Sequence, residues 1–126
     1  MLLPWDKRIR RAGLGVPSFG NHPLRLTVPC VGSGEAVRLY HQRHPDVTEV
    51  LKYFDSATHA THTTIPVAVY AALFDPAVCP PGQFCVFNSL AGPKKLIVRE
   101  CDHFEGPKSP QDNLNCRKEF HEFFAV

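Results

Sequence analysis

Two apolar runs set the pattern of an otherwise mixed chain. The first is Val67-Ala68-Val69-Tyr70-Ala71-Ala72-Leu73-Phe74, bounded by Pro66 before it and Asp75-Pro76 after it. Its length and its strand formers Val67, Val69, Tyr70 and Phe74 predict a strand buried on both faces. The second, Leu96-Ile97-Val98-Arg99-Glu100-Cys101, predicts another strand ending at Asp102-His103. Between them, Cys79-Pro80-Pro81-Gly82 reads as an irregular turn, because proline fixes φ and pushes its predecessor out of the helical region. Gln83 to Leu90 then reads as a helix opened by Pro81 or Gly82 and stopped by Ala91-Gly92-Pro93-Lys94.

Upstream, Ala12 to Val28 reads as a short strand followed by loop, with the strand near Ile9 to Val16. Ser33 caps a helix over residues 34–41, and Pro45 ends it. Asp46 opens a second helix in which Val47, Val50, Leu51 and Phe54 form a stripe expected to face a core. Asp46 and Glu49 stand at capping-box spacing. Ser56 to Thr64 and Glu105 to Asn115 read as loop. Cys116 to Phe124 closes the chain as a short amphipathic helix carrying Phe120, Phe123 and Phe124, an aromatic group expected in the core.

Alternating helices and strands imply an α/β fold with a parallel sheet. Two firm strands and a weak one are few for a doubly wound domain, so the expected architecture is an incomplete sheet with flanking helices. Two of its strands end in groups that could act together. Asp75 and His103 each lie just past the carboxyl end of a strand, where α/β folds keep ligands and catalytic groups. Asp75 has a second reading, as an acceptor for backbone amides in the Pro76 turn.

Composition narrows the function classes. A length of 126 residues allows one domain, and a net charge of +2 is too small to argue for nucleic acid. The basic run Lys7-Arg8-Ile9-Arg10-Arg11 reads as a solvated face. No stretch approaches the roughly 20 apolar residues of a membrane span, and the first residues do not form an export signal. Five cysteines, an odd number without a paired framework, suit reduced thiols in a cytoplasm. Cys79 and Cys85 read as small apolar groups. His41, His44, His59 and His62 could suggest a metal module, but no cysteine stands beside them, so neither metal nor cofactor is expected.

Several short motifs together carry a resemblance. Tyr53-Phe54-Asp55, Ile65-Pro66-Val67, Leu73-Phe74-Asp75, Cys79-Pro80-Pro81, Phe87-Asn88, Ala91-Gly92-Pro93-Lys94 and His103-Phe104-Glu105-Gly106 appear in this order, led by Gly15-Val16-Pro17 and His44-Pro45-Asp46. In order and spacing they resemble the C-terminal third of acetyl xylan esterases, the family that includes cephalosporin C deacetylase. The resemblance covers roughly residues 10 to 124 and leaves an unmatched segment of about ten residues at the start. It implies that residues 1–126 form a single partial α/β-hydrolase domain of a serine esterase that removes acetyl groups from acetylated oligosaccharides and small acetyl esters. By position, Asp75 matches the triad acid and His103 the triad base. Family members tend to form homo-oligomers.

The sequence departs from the family in three places, one of them the spacing around Cys79, with one residue more before it and one fewer after it. Phe104 intervenes between His103 and Glu105-Gly106, and Pro107 replaces a glycine. No Gly-x-Ser-x-Gly elbow is present among Ser18, Ser33, Ser56, Ser89 and Ser109. Pro17 disqualifies the surroundings of Ser18, and Gly32-Ser33-Gly34 lacks a preceding apolar strand. The expectation is therefore the tail or a degenerate copy of an esterase, inactive alone and needing a complementing N-terminal part. A non-catalytic remnant bound to another hydrolase subunit through the open edge of its first strand is the alternative. A histidine-based metal module is a third.

Overall fold

The computed structural model describes residues 2–104, 106–107 and 109–125. Three strands form one parallel sheet in the order β1 (Ala12–Gly15), β2 (Val67–Ala72), β3 (Lys94–Arg99). Val67 pairs with Ala12 on one side and Lys94 on the other. The central position of β2 explains its unbroken apolar run: Val67, Ala68, Val69 and Ala71 are all 0% exposed.

Helices cover both faces, as a parallel sheet requires. They are α1 (His22–Arg25), α2 (Ser33–Arg43), α3 (Val47–Leu51), α4 (Ser56–Ala60), α5 (Pro80–Ser89) and α6 (Ser109–Phe124), with a 3-10 turn at Lys52–Phe54. On one face Ala12, Val67 and Val69 pack against Ala57 and Ala60 of α4 and Val86 and Leu90 of α5. The opposite face receives α6, whose Phe120 meets Tyr70 edge-on at 5.9 Å. Gly13 allows this approach, because a Cβ there would sit 2.8 Å from the Phe120 ring.

Ala12 N–H donates to Pro66 C=O and Val16 N–H to Tyr70 C=O. By alternation the peptide groups of Gly13 and Gly15 point away from β2, so β1 ends the sheet on its own side as the sequence suggested. The outer strand at the other side, β3, carries Lys94, Lys95 and Arg99, charges that blunt an edge.

The structure corrects several local expectations. Residues 56–60 are helical rather than loop, because the Asp55 carboxylate accepts from the Ala57 and Thr58 amides and caps α4. Helix α6 begins at Ser109, well inside the expected loop, with Pro110 in its first turn where a missing N–H costs nothing. For the same reason Pro80 and Pro81 lie within the first turn of α5 instead of forming a separate turn, with Cys79 at the cap. Strand β2 ends two residues early, since Leu73 and Phe74 turn outward and are 36% and 68% exposed. Strand β3 is shifted by two residues toward the start of the chain.

Neither proposed cap forms. Gly32, not Ser33, holds the cap of α2, and Asp46 has helical φ and ψ and makes no side-chain cap bond. Glu49 bonds Lys52 instead of completing a capping box. The stripe is not core: Val50 and Phe54 are 54% and 51% exposed, Val47 and Leu51 are only half-buried, and α2 and α3 hold no buried residue.

Candidate active site

Asp75 stands three residues past the end of β2, and His103 four past the end of β3. Parallel pairing brings the carboxyl ends of these neighbouring strands together. The ladder continues past both strands, with Leu73 N–H donating to Arg99 C=O and Phe74 N–H to Cys101 C=O. It carries the two segments side by side until the side chains meet: His103 Nδ1 lies 2.9 Å from Asp75 Oδ2.

Each oxygen of Asp75 has its own task. Oδ1 accepts from the backbone amides of Ala77 and Val78, both at 2.8 Å. Oδ2 faces the imidazole. The turn-acceptor role expected of Asp75 is thus met by Oδ1, while Oδ2 is left to the imidazole. The Asp75 side chain is 0% exposed, whereas that of His103 is 32% exposed. A carboxylate only accepts, so the contact requires Nδ1 to donate, and a ring protonated at Nδ1 alone keeps its Nε2 lone pair available. A buried acid orienting an accessible base is the arrangement needed to take a proton from an alcohol.

Two cavities flank this pair. One, of about 210 Å³, is bordered by His103, Arg25, Val78, Ser18 and Ser33. The structure therefore brings two of the five serines to the histidine's cavity, but no hydrogen bond joins either to His103 among the described residues. Ser33 stands at the start of α2 after Gly32, whose φ of 80° is open to glycine. Loop rather than strand precedes it, as the sequence indicated. The larger cavity, of about 520 Å³, lies beyond Asp75 and is walled by Leu24, Val28, Val31, Cys30 and Pro80. Burial pushes the Cys30 thiol up, and only part of this is offset by the nearby Arg25 guanidinium, so it is no ready thiolate nucleophile.

Other candidate residues are placed apart from this chemistry. Asp102 turns back to accept from the Phe104 amide, and Glu105 lies outside the described residues. Phe104, the interrupting residue, sets its ring edge-on to His103 at 5.0 Å. His44 stacks on Tyr40 and His62 lies against Trp5, while His59 bonds the Tyr53 carbonyl. No group of three His, Cys, Asp or Glu side chains could hold a metal ion among the described residues. All five cysteines are free thiols, with Cys79 and Cys85 partly rather than fully buried. No helix of the described residues is long and apolar enough to cross a membrane. Arg11 of the basic run folds back onto α6, donating to the Phe123 carbonyl at 2.7 Å.

Sequence reasoning passed over Gln83. It is 0% exposed, and its carboxamide bonds the backbone of Ala72 and Val78 on either side of Asp75. The available signal was an amide side chain in the first turn of an otherwise apolar helix.

A search of curated proteins finds no match. Among solved structures, the chain superposes on an acetyl xylan esterase from Paenibacillus sp. R4 with a TM-score of 0.72 at 19% identity, covering 93% of this chain and 40% of that one. Acetyl xylan esterase 1 from Thermoanaerobacterium sp. JW/SL YS485 gives 0.73 at 16% identity, covering 90% and 38%. The enol-lactonase from Burkholderia xenovorans LB400 gives 0.60 at 16%, covering 99% and 60%. These likenesses give the α/β-hydrolase fold, and the chain spans about 40% of the length of the two esterases. The family profile described as Acetyl xylan esterase (AXE1) matches residues 36–118, well over half of the sequence and inclusive of both Asp75 and His103. The chain belongs to the acetyl xylan esterase family.

Proposed function

We propose that this chain carries the acid and the base of a Ser-His-Asp carbohydrate acetylesterase of the acetyl xylan esterase or cephalosporin C deacetylase type. The observation that carries the reading is the 2.9 Å contact between His103 Nδ1 and the buried Asp75 Oδ2. In this scheme His103 Nε2 takes the proton of a serine hydroxyl as it attacks the acetyl carbonyl, then returns it to the departing sugar alcohol. Asp75 fixes the tautomer and stabilises the imidazolium that forms. The substrates are acetylated oligosaccharides and small acetyl esters. Five free thiols support a reducing, cytoplasmic setting.

The nucleophile is proposed to come from outside these 126 residues, from an N-terminal part of the enzyme that presents Gly-x-Ser-x-Gly at a strand end, together with the oxyanion donors that accompany such an elbow. The outward-facing groups of β1 suit the addition of such a strand. The alternative reading is a non-catalytic subunit that binds another hydrolase, or a further copy of itself, through the same edge. It is favoured by the apolar side chains left exposed on α2 and α3.

Purified chain, alone, is expected to hydrolyse p-nitrophenyl acetate no faster than its His103→Ala variant. It is also expected to gain no mass from a fluorophosphonate, which labels activated serines. A rate that depends on His103, with label on Ser33 or Ser18, would place the nucleophile among these residues and overturn its proposed placement in an N-terminal part.

A further inference from the structure

β2 reaches further than β1 does. Tyr70 C=O is taken by Val16 N–H, and there β1 turns away, with Val16 at a φ of 38°. The next residue of β2 that faces the same side is Ala72, so its N–H and C=O have no strand to bond. Gln83 supplies the replacement: its Oε1 accepts from Ala72 N–H at 2.8 Å, and its Nε2 reaches Ala72 C=O at 3.4 Å. A side-chain carboxamide has the same donor and acceptor as a peptide group and here takes the place of the neighbouring strand.

The same Nε2 donates to Val78 C=O at 2.6 Å. Val78 N–H in turn donates to Asp75 Oδ1. Gln83 therefore grips both ends of the segment 72–78, and Asp75 lies between them. The bonded series runs from the end of β2 through Gln83 and Val78 to Asp75 and on to His103. We propose that Gln83 is a positioning residue for the Asp75–His103 pair: it sets the height of the Asp75 turn above the sheet so that Oδ2 meets Nδ1. This role rests on the acid–base reading above.

The test follows the His103 ring by NMR in the full chain, reading the Nδ1 proton resonance and the tautomer. Thermal unfolding is followed in parallel. In the unmodified protein the Nδ1 proton is expected to be slow to exchange and the Nδ1–H tautomer dominant; their absence would overturn the acid–base reading itself. In Gln83→Met, which fills the same space without hydrogen bonds, the slow proton is expected to be lost and both tautomers to appear. Gln83→Glu keeps an acceptor for Ala72 but has no donor for Val78, and should show the same loss. A folded variant of either kind that retains the unmodified Nδ1 signature would overturn the role of Gln83 while leaving the pair intact. If neither variant folds, the proposal is also rejected, because Gln83 then holds the domain rather than the turn.

Discussion

Asp55 and Asp75 stand on nearly identical local structure and do different work. Each follows an apolar or aromatic residue, and each opens a turn: Asp55-Ser56-Ala57-Thr58 and Asp75-Pro76-Ala77-Val78. In both, Oδ1 accepts from the amides two and three residues on, at 2.8 and 3.2 Å for Asp55 and at 2.8 Å twice for Asp75. Both residues are buried, 6% and 3% exposed. The difference lies in the second oxygen. Oδ2 of Asp55 receives the backbone N–H of His22 at 2.7 Å, and Asn21 N–H adds to its Oδ1, which ties the loop after β1 to α4. Oδ2 of Asp75 receives an imidazole that can gain and lose a proton. Local sequence builds the turn in both; the second oxygen meets a backbone amide at Asp55 and a titratable ring at Asp75.

The largest expected effect is at Asp55. Asp55→Ala would strip the acceptor from four backbone amides in a buried place, two of them at the start of a helix. Loss of a cap and orphaned amides together cost about 3 kcal/mol. Thermal unfolding should fall by about 10 °C in a domain of this size. Asp55→Asn keeps an oxygen for Ala57, Thr58 and Asn21 and so should recover the cap, but not all of the loss, because its amide group would meet the His22 N–H donor to donor and a backbone amide cannot change its proton. A drop of less than about 1 kcal/mol in urea titration would show that water replaces the carboxylate, and the contrast with Asp75 would fail on the structural side.

At Asp75 the same substitution separates stability from chemistry. Asp75→Asn leaves an oxygen for Ala77 and Val78, so the loss of stability is expected to be about 1 kcal/mol or less. Its amide group would face His103, but an imidazole, unlike a backbone N–H, can move its proton to the other nitrogen. The variant should therefore hold His103 as the Nε2–H tautomer, with no lone pair toward the cavity. Two-dimensional ¹H–¹⁵N spectra of the ring distinguish the tautomers directly. An unchanged Nδ1–H tautomer in folded Asp75→Asn would mean that the carboxylate does not orient the base.

Much of this was legible in the chain, for identifiable reasons. The β2 run announced itself because a strand paired on both sides has no polar face, and the Asp and His at the two strand ends followed from parallel pairing. Helix α4 was not legible by composition: Ser56, Thr58 and Thr61 are poor helix formers, and it is the Asp55 cap and the burial of Ala57 and Ala60 that hold it. The start of α6 was hidden in polar residues, although Pro110 in a first turn was a usable sign. Gln83 could not be found by pattern, since its partners are the main chain at Ala72 and Val78. The apolar stripe at Val47, Val50, Leu51 and Phe54 was a true helical period with a false inference. Periodicity reports that one face is apolar and says nothing of what lies opposite it.

Glu35 sharpens the contrast from the surface. It too takes a backbone amide, Cys30 N–H at 3.0 Å on Oε2, and it is clamped by Arg38 through Nη2 at 2.6 Å and Nε at 2.9 Å. The Arg38 hydrogen bonds first, and then the Cys30 amide, hold its carboxyl down to about 2 from an ordinary value of 4.5. A carboxyl depressed on folding contributes stability that is complete above the ordinary value and is lost as pH falls through the folded one. The Cys30 amide resonance should therefore move between roughly pH 4.5 and pH 2, with Gly32 and Ser33 following it as the turn before α2 loosens. Glu35→Gln removes the titrating group, so its Cys30 amide should stay flat over the same range, with a change in overall stability smaller than at Asp55 because the pair is only part-buried and Gln still offers the Cys30 amide an acceptor. A Cys30 shift that persists unchanged in Glu35→Gln would assign the acid response to another carboxylate, with Asp75 and Asp55 then the groups to titrate next.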